Sequence, residues 1–445
     1  MSASTHGKEA DFLADLAWRG LLHQITDEPE LRKALNSAPI TAYIGFDPTA
    51  DSLHVGSLLP ALNLVRLAKA GHKPIAVVGG ATGMIGDPSG KTQERTLLDS
   101  AQLEKNKEGM TRQLLTLFER AGVKGRVEVV NNYDWFKDFN YLDFLRDVGK
   151  HFTVNIMLAK ESVRARLEDR DHGISYTEFS YMLLQAYDFW WLYRNKGCRL
   201  QVGGSDQWGN ITAGVDLIRR MLHAPADASA NKDKPAYGFT FPLVTKADGS
   251  KFGKSEKGNV WLDANRTSPY EFHQFFMRAE DTEVIKFLKY FTFLSHDEVA
   301  ALEKATLENP AARTAQKRLA DEVTALVHGA EESEKAKAAA AALFTGGADK
   351  LSAAQLKSAL AEAPSSQRAK SELAGDGVAL IDVLAETGLS PSKGSARKEI
   401  AAGGIYLNDE RVQDSALRIK TDDLVDGELL VLRKGKKTYH LVTYS

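Results

Sequence analysis

Apolar and aromatic side chains recur along the chain in short runs of strand length, separated by longer stretches with helical spacing. Ile40 to Phe46 is the first clear strand, and Asp47-Pro48-Thr49 breaks it. Leu53 to about Ala70 follows as a helix that Ser52 is placed to cap, and Lys73 to Val78 forms a second strand. The three segments read as a βαβ unit with a right-handed crossover. A polar amphipathic helix or two over 11–36 precedes this unit, with Leu13, Leu16, Ala17 and Leu21 at helical spacing. Beyond it come a helix from about Ala101 to Ala121, a strand at Val127 to Asn131 and helical segments at Trp135–Val148 and Val154–Arg166. Tyr176 to Tyr193 is a further helix, Arg199 to Val202 a further strand, and another helix runs through Met221. This alternation predicts an α/β fold built on a doubly wound parallel sheet.

The Tyr176 to Tyr193 helix is apolar almost all round, which places it in the core. Yet Tyr181, Gln185 and Asp188 stand at i, i+4 and i+7, on one stripe. Burying a carboxylate and an amide costs on the order of several kcal/mol unless they are satisfied. The stripe therefore faces a polar ligand or belongs to an internal polar network.

Two strands run into glycine-rich turns, the arrangement that places ligands at the carboxyl edge of an open α/β sheet. The first turn, Gly79 to Lys91, carries Asp87, but Gly86 to Lys91 is one residue short of a P-loop because Ile85 stands where its first glycine would be. A Walker-type NTPase is not indicated. The second, Gly203-Gly-Ser-Asp-Gln-Trp-Gly-Asn210, brings Gly204, Asp206 and Gln207 beside Gln201 at a strand end. At the first corner, His54 and Gly56 fall in the first turn of a helix, where free backbone N–H groups favour an anion. By itself His54 reads equally as an ordinary surface or core histidine. Phe239 to Thr245 leads into a polar loop over 246–258, in which Lys251 and Lys254 read alone as a solvated turn.

Length, at 445 residues, suggests about three domains. Hydrophobic content of 43% and charged content of 26% fit a soluble globular protein. No apolar run reaches a membrane span and the first ten residues lack the order of a secretory signal, so a cytoplasmic location is expected. Cys198 is the only cysteine, which excludes an internal disulfide and a cysteine-rich metal site. With 57 Lys and Arg against 59 Asp and Glu, no whole-molecule field attracts a polyanion, and any nucleic-acid contact must use local patches.

From Pro269 the chain reads as helical, with a capping box at Ser295 and Glu298 and a long Ala-, Lys- and Glu-rich helix after Pro310. Thr345 to Gly375 contains a linker by composition. Helices at Val378–Thr387 and Ser395–Ala402, a hairpin over Gly403–Gln413 and strands at Glu428–Arg433 and Thr438–Thr443 follow. From Asp376 onward ten Lys or Arg stand against eleven Asp or Glu, so Lys393, Arg397, Lys398 and Arg411 would have to share a face for RNA binding; otherwise this is a small protein-interaction domain.

Tyr43 to Ser57 together with Lys251-Phe-Gly-Lys-Ser255 resembles the paired His-x-Gly-His and Lys-Met-Ser-Lys-Ser motifs of class I aminoacyl-tRNA synthetases. The intervening stretches are similar to the tyrosyl-tRNA synthetase family in particular, from about Leu13 to Asn265 and again near the C-terminus. Ser57 replaces the second histidine of the first motif, and Phe252-Gly253 stands for Met-Ser in the second. The resemblance implies a Rossmann-like catalytic domain over 1–245, a mobile loop over 246–265, a helical anticodon-end domain over 266–350, a linker over 351–375 and a small α+β S4-like RNA-binding domain over 376–445. It implies a homodimer that uses ATP, with Mg2+ carried on the nucleotide, to join L-tyrosine to tRNA(Tyr).

It also assigns residues. Tyr43 and Asp188 match the pair that hydrogen-bonds the substrate phenol, and Tyr181, Gln185, Asp87 and Gln207 match those that hold its ammonium group or line its pocket. Gly45, Asp47, Gly56, Gln201, Gly204, Asp206 and Lys254 match the ATP and adenylate contacts, while His54, Lys251 and Lys254 match the groups that stabilise the phosphates. No dedicated metal ligands are expected. A tryptophanyl enzyme is disfavoured by the Tyr43 and Asp188 pair, and a non-catalytic RNA-binding relative by retention of His54 and the lysine loop. A nucleotidyltransferase built on the same His-x-Gly corner would leave the C-terminal module unexplained.

Overall fold

The computed structural model describes residues 11–89, 99–168, 173–222, 234–245, 252–255, 258–345, 351–360, 363–435 and 438–445. They fall into two compact units, one of residues 1–267 with 276–327, the other of 268–275 with 328–445.

The first unit is built on a six-stranded sheet. In chain order its strands are β1 (Gln24–Ile25), β2 (Thr41–Phe46), β3 (Lys73–Val78), β4 (Glu128–Asn131), β5 (Cys198–Gly204) and β6 (Tyr237–Phe241), arranged in space as β1-β6-β5-β2-β3-β4. All neighbours are parallel except β1, which pairs antiparallel with β6 at one edge. From β2 the winding runs outward through β3 and β4, then returns to the other side through β5 and β6. The order therefore reverses between β2 and β5, and a crevice opens at the carboxyl ends of those two strands. Val, Ile and Ala fill β3, whose Pro74 to Val78 are all buried, as expected of a strand covered on both faces.

The Tyr176–Lys196 helix is capped by the Ser175 hydroxyl, which accepts from the Glu178 N–H, and ends at Gly197 with φ of 65°. Its buried residues Met182, Leu183, Ala186, Phe189, Leu192 and Tyr193 pack in one cluster with Tyr43, Ile75, Val77 and Leu217. The core thus lies between this helix, the Trp208–Leu222 helix and the sheet.

Two boundaries differ from expectation. The helical segment expected over 266–350 is not one body: its helices Val284–Phe291 and His296–Glu308 belong to the first unit. Two buried arginines explain the attachment. Arg66 donates to the carbonyls of Tyr290 at 2.6 Å and Thr292 at 3.2 Å, and Arg19 donates to those of Thr292 and Leu294 at 3.4 and 3.0 Å. Cations thereby occupy the carbonyl end of the Val284–Phe291 helix, where its dipole favours them. Burial pulls Arg66 down to about 9, and the neighbouring Arg19 adds to the shift.

The second difference is the segment expected as a linker over 351–375. It contains the helix Ala353–Ala359, opened by a Ser352/Gln355 capping box, and the strand Ser365–Arg368. That strand pairs in parallel with Thr438–Tyr444 at the edge of a five-stranded sheet, whose other members are Ile405–Leu407, Glu410–Arg411 and Leu429–Lys434. Helices Leu380–Glu386 and Lys393–Ala401 complete this small α+β body around Leu384, Ile400, Ile405, Leu430 and Val442.

Candidate active site

The crevice between β2 and β5 is lined first by absence. A Cβ added at Gly45 would meet nothing within 4 Å, so the end of β2 is open to a ligand. Beyond it, Asp47 accepts from the Tyr181 hydroxyl at 2.9 Å and from the Thr82 hydroxyl at 2.8 Å. At Gly79 a Cβ would lie 2.2 Å from the Asp47 carboxylate and 2.3 Å from Thr82 Oγ1, so this position admits glycine alone without displacing that carboxylate.

A second network joins both glycine-rich turns. Gln207 Nε2 donates to Asp87 at 2.7 Å, Gln185 Nε2 donates to Gln207 Oε1 at 3.2 Å, and Asn210 Nδ2 donates to Gln185 Oε1 at 2.9 Å. The stripe of Tyr181, Gln185 and Asp188 therefore reaches three neighbouring elements from a single helix. Asp206 is within 3.4 Å of the Gln207 amide, and Gly204 directly precedes its turn.

Deepest in the cleft stands Asp188, 4% exposed. Its two oxygens accept from Trp135 Nε1 at 2.8 Å and from Asn132 Nδ2 at 3.1 Å. Burial pushes the Asp188 carboxyl up to about 8; the Asn132 and Trp135 donors oppose that shift, and Asp47 adds to it. Tyr43, 1% exposed, has a buried hydroxyl with no hydrogen-bond partner, and burial followed by the Asp188 charge holds its phenol well above the usual range. A buried hydroxyl left unpaired costs about 1–3 kcal/mol, a penalty that a bound polar group would remove.

His54 is the N-cap of the Val55–Lys69 helix and makes no side-chain capping bond. Ser52, the expected cap, lies outside the cap position because the helix begins at Val55; its hydroxyl donates to the Leu53 carbonyl at 2.8 Å, and Gln113 Oε1 accepts from the Leu53 N–H at 2.7 Å. The His54 ring rests against Gly56, where a Cβ would come within 2.8 Å of it. Gln201 lies on β5 beside Tyr43 in register; its side chain is 2% exposed and its Oε1 approaches Gly214 of the Trp208–Leu222 helix. Lys251 lies outside the described residues. Lys254 begins a two-stranded hairpin, Lys254–Ser255 with Gly258–Asn259, within the span expected as a loop. Among the described residues no group of three or more His, Cys, Asp or Glu side chains could hold a metal ion.

The residues that escaped the sequence reading are Asn132, Trp135, Thr82 and Asn210. Each is a partner of a residue already singled out. The available signal was positional, since Asn132 follows the carboxyl end of β4 and Thr82 lies inside the first glycine-rich turn.

Comparison with known proteins identifies the family. The family model for the tRNA synthetases class I (W and Y) matches residues 35–345, and that for the tyrosine–tRNA ligase SYY-like C-terminal domain matches residues 355–442. A tyrosine–tRNA ligase of Geobacillus kaustophilus is 50% identical over 435 residues, covering 98% of this chain and all of that protein. One from Bacillus caldotenax matches to the same extent. Among solved structures, a C-terminally truncated mitochondrial tyrosyl-tRNA synthetase of Aspergillus nidulans superposes with a TM-score of 0.69 at 35% identity, over 76% of this chain and 95% of that one. With an open cleft at the sheet's switch point, an acid and a phenol at its floor, and matches over nearly the whole length, the chain belongs to the tryptophanyl and tyrosyl family of class I tRNA synthetases.

Proposed function

We propose that the chain is a tyrosine–tRNA ligase, and the observation that carries this reading is the unpaired, buried Tyr43 hydroxyl beside Asp188 at the floor of the cleft. A substrate phenol can donate to Asp188 and accept from Tyr43 at once, so a phenylalanine ring would leave both unpaired. Tyr181, Gln185 and Asp87 would receive the substrate ammonium group, with Gln207 and Asn210 holding them in place.

The tyrosine carboxylate, already ionised, attacks the α-phosphorus of ATP; its new P–O bond replaces the bond to pyrophosphate, which departs with its electron pair. No general base is required, only alignment and stabilisation of phosphate charge. His54 and the Lys251 and Lys254 motif would supply that charge, the cleft about Gly45, Asp47, Gly204 and Asp206 would hold the adenylate, and a magnesium ion would arrive with the nucleotide. In the second step a hydroxyl of the 3′-terminal ribose of tRNA attacks the acyl carbon and AMP leaves.

The C-terminal body would add RNA contacts. Exposed apolar side chains recur in the sequence between Tyr133 and Tyr176, among them Tyr141, Leu142, Val154 and Ile156, and a homodimer would cover such side chains. No helix among the described residues is long and apolar enough to cross a membrane.

The test is ATP–pyrophosphate exchange with each of the twenty amino acids, without tRNA. Exchange with tyrosine alone is expected; exchange with tryptophan, or with none, would overturn the reading. Gly79→Ala should lower the rate of adenylate formation by about tenfold, since an added Cβ must push Asp47 away from Tyr181 and a displacement of ångström size is costly to aligned groups. A quenched-flow rate equal to wild type would contradict it.

A further inference from the structure

We propose that Trp261 is a positioning residue for the activation step, its indole held under the Arg266 guanidinium so as to set the orientation of the His54 imidazole. The inference rests on the assignment of His54 to the phosphates made above. Trp261 lies in the segment that leaves the Lys254–Asn259 hairpin, and it forms an antiparallel bridge with His54. Val55 donates to the Val260 carbonyl at 2.9 Å and Leu262 to that of Leu53 at 2.8 Å, so backbone hydrogen bonds fix the two segments side by side. Across this bridge the His54 and Trp261 rings meet edge to face, with centroids 6.1 Å apart and planes at 68°.

The indole is itself held by a second contact. The Arg266 guanidinium sits 3.9 Å from its centroid and makes an ion pair with Asp51 at 2.9 Å. Asp51 belongs to the same Asp51-Ser52-Leu53-His54 corner. The contacts therefore close a ring, from the corner through Asp51 to Arg266, to Trp261 and back to His54. The corner's backbone is bound separately, by Gln113 and by the Val260 carbonyl. What the ring adds is a fixed wall for the imidazole, whose contact at Gly56 leaves no room for a side chain.

A residue that acts through His54 must lose its effect when His54 is gone. Quenched-flow rates of adenylate formation and tyrosine affinity by equilibrium dialysis would be measured for Trp261→Leu, Arg266→Gln and His54→Ala, and for each of the first two combined with His54→Ala. In the presence of His54, Trp261→Leu should slow adenylate formation about tenfold and Arg266→Gln about threefold, with tyrosine affinity unchanged. In the His54→Ala background each should cost less than about twofold, the signature of coupled residues. Equal losses in both backgrounds, or no loss with His54 present, would overturn the inference while leaving the His54 reading intact. An unimpaired His54→Ala enzyme would overturn that reading, and the inference with it. Should Trp261→Leu fail to fold, Arg266→Gln carries the same test with the indole in place.

Discussion

Asp188→Ala is expected to abolish tyrosine-dependent ATP–pyrophosphate exchange while leaving the protein folded. The substrate phenol would lose its acceptor, and the Trp135 and Asn132 donors that now point at the carboxylate would be left facing an apolar methyl. Because Asp188 holds its proton at neutral pH, its hydrogen bond to the phenol contributes about 1 kcal/mol, and each stranded donor removes about 1–3 kcal/mol more from the complex. At roughly 1.4 kcal/mol per decade, the loss in kcat/KM should reach at least about a hundredfold. The fold should survive because removing a buried acid also removes its desolvation cost. Near-wild-type exchange, or a variant that does not fold, would contradict this account.

The same carboxyl makes a prediction about pH. In the fold Asp188 keeps its proton up to about 8, whereas in the unfolded chain it titrates at about 3.9, the ordinary value. Between these values the unfolded state binds fewer protons than the folded state, so this residue makes the protein less stable as pH rises from about 4 to about 8. Asp188→Asn has no proton to lose. Its Tm relative to wild type should therefore climb steadily over that range, measured by calorimetry in matched buffers. A flat difference would mean that the carboxyl is ionised throughout.

How much of this was legible beforehand depends on the kind of signal. The apolar runs that became β2, β3 and β5 and the all-round apolar Tyr176 helix were plain, because burial on both faces leaves a compositional trace. Residues on the stripe at Tyr181, Gln185 and Asp188 were legible because a polar group in an apolar helix demands a partner. The partners themselves were not: Asn132 and Trp135 reach Asp188 across 56 and 53 positions of sequence, and nothing local marks them. The strand Ser365–Arg368 was missed because its wholly polar residues pair only along a sheet edge and carry no apolar–polar alternation. Arg19 and Arg66 carry no local mark of burial. Their burial follows from helix-end carbonyls more than 200 residues away, a relation that exists only in the folded chain.

Arg166→Met is expected to be the most damaging substitution for stability outside the cleft. Arg166 and Glu178 are 3% and 1% exposed and meet in a two-point pair, Nη1 to Oε1 at 3.1 Å and Nη2 to Oε2 at 2.9 Å, while Nη2 also reaches the Gly173 carbonyl at 2.8 Å. Glu178 lies in the first turn of the helix that presents Tyr181, Gln185 and Asp188, so the pair anchors the end of the helix from which the site is built. Leaving one buried charge unpaired costs about 3–5 kcal/mol, which for a unit of this size lowers Tm by on the order of 10 °C. Tyrosine affinity should fall with it, as the first turn of that helix loosens. Replacing both partners removes the stranded charge, so Arg166→Met combined with Glu178→Leu should recover most of the lost Tm. Thermal melts of the three proteins decide the matter. If the single variant melts with wild type, the pair is not holding the helix; if the double variant melts lower still, it is the salt bridge itself, and not the avoidance of an unpaired carboxylate, that stabilises this end of the fold.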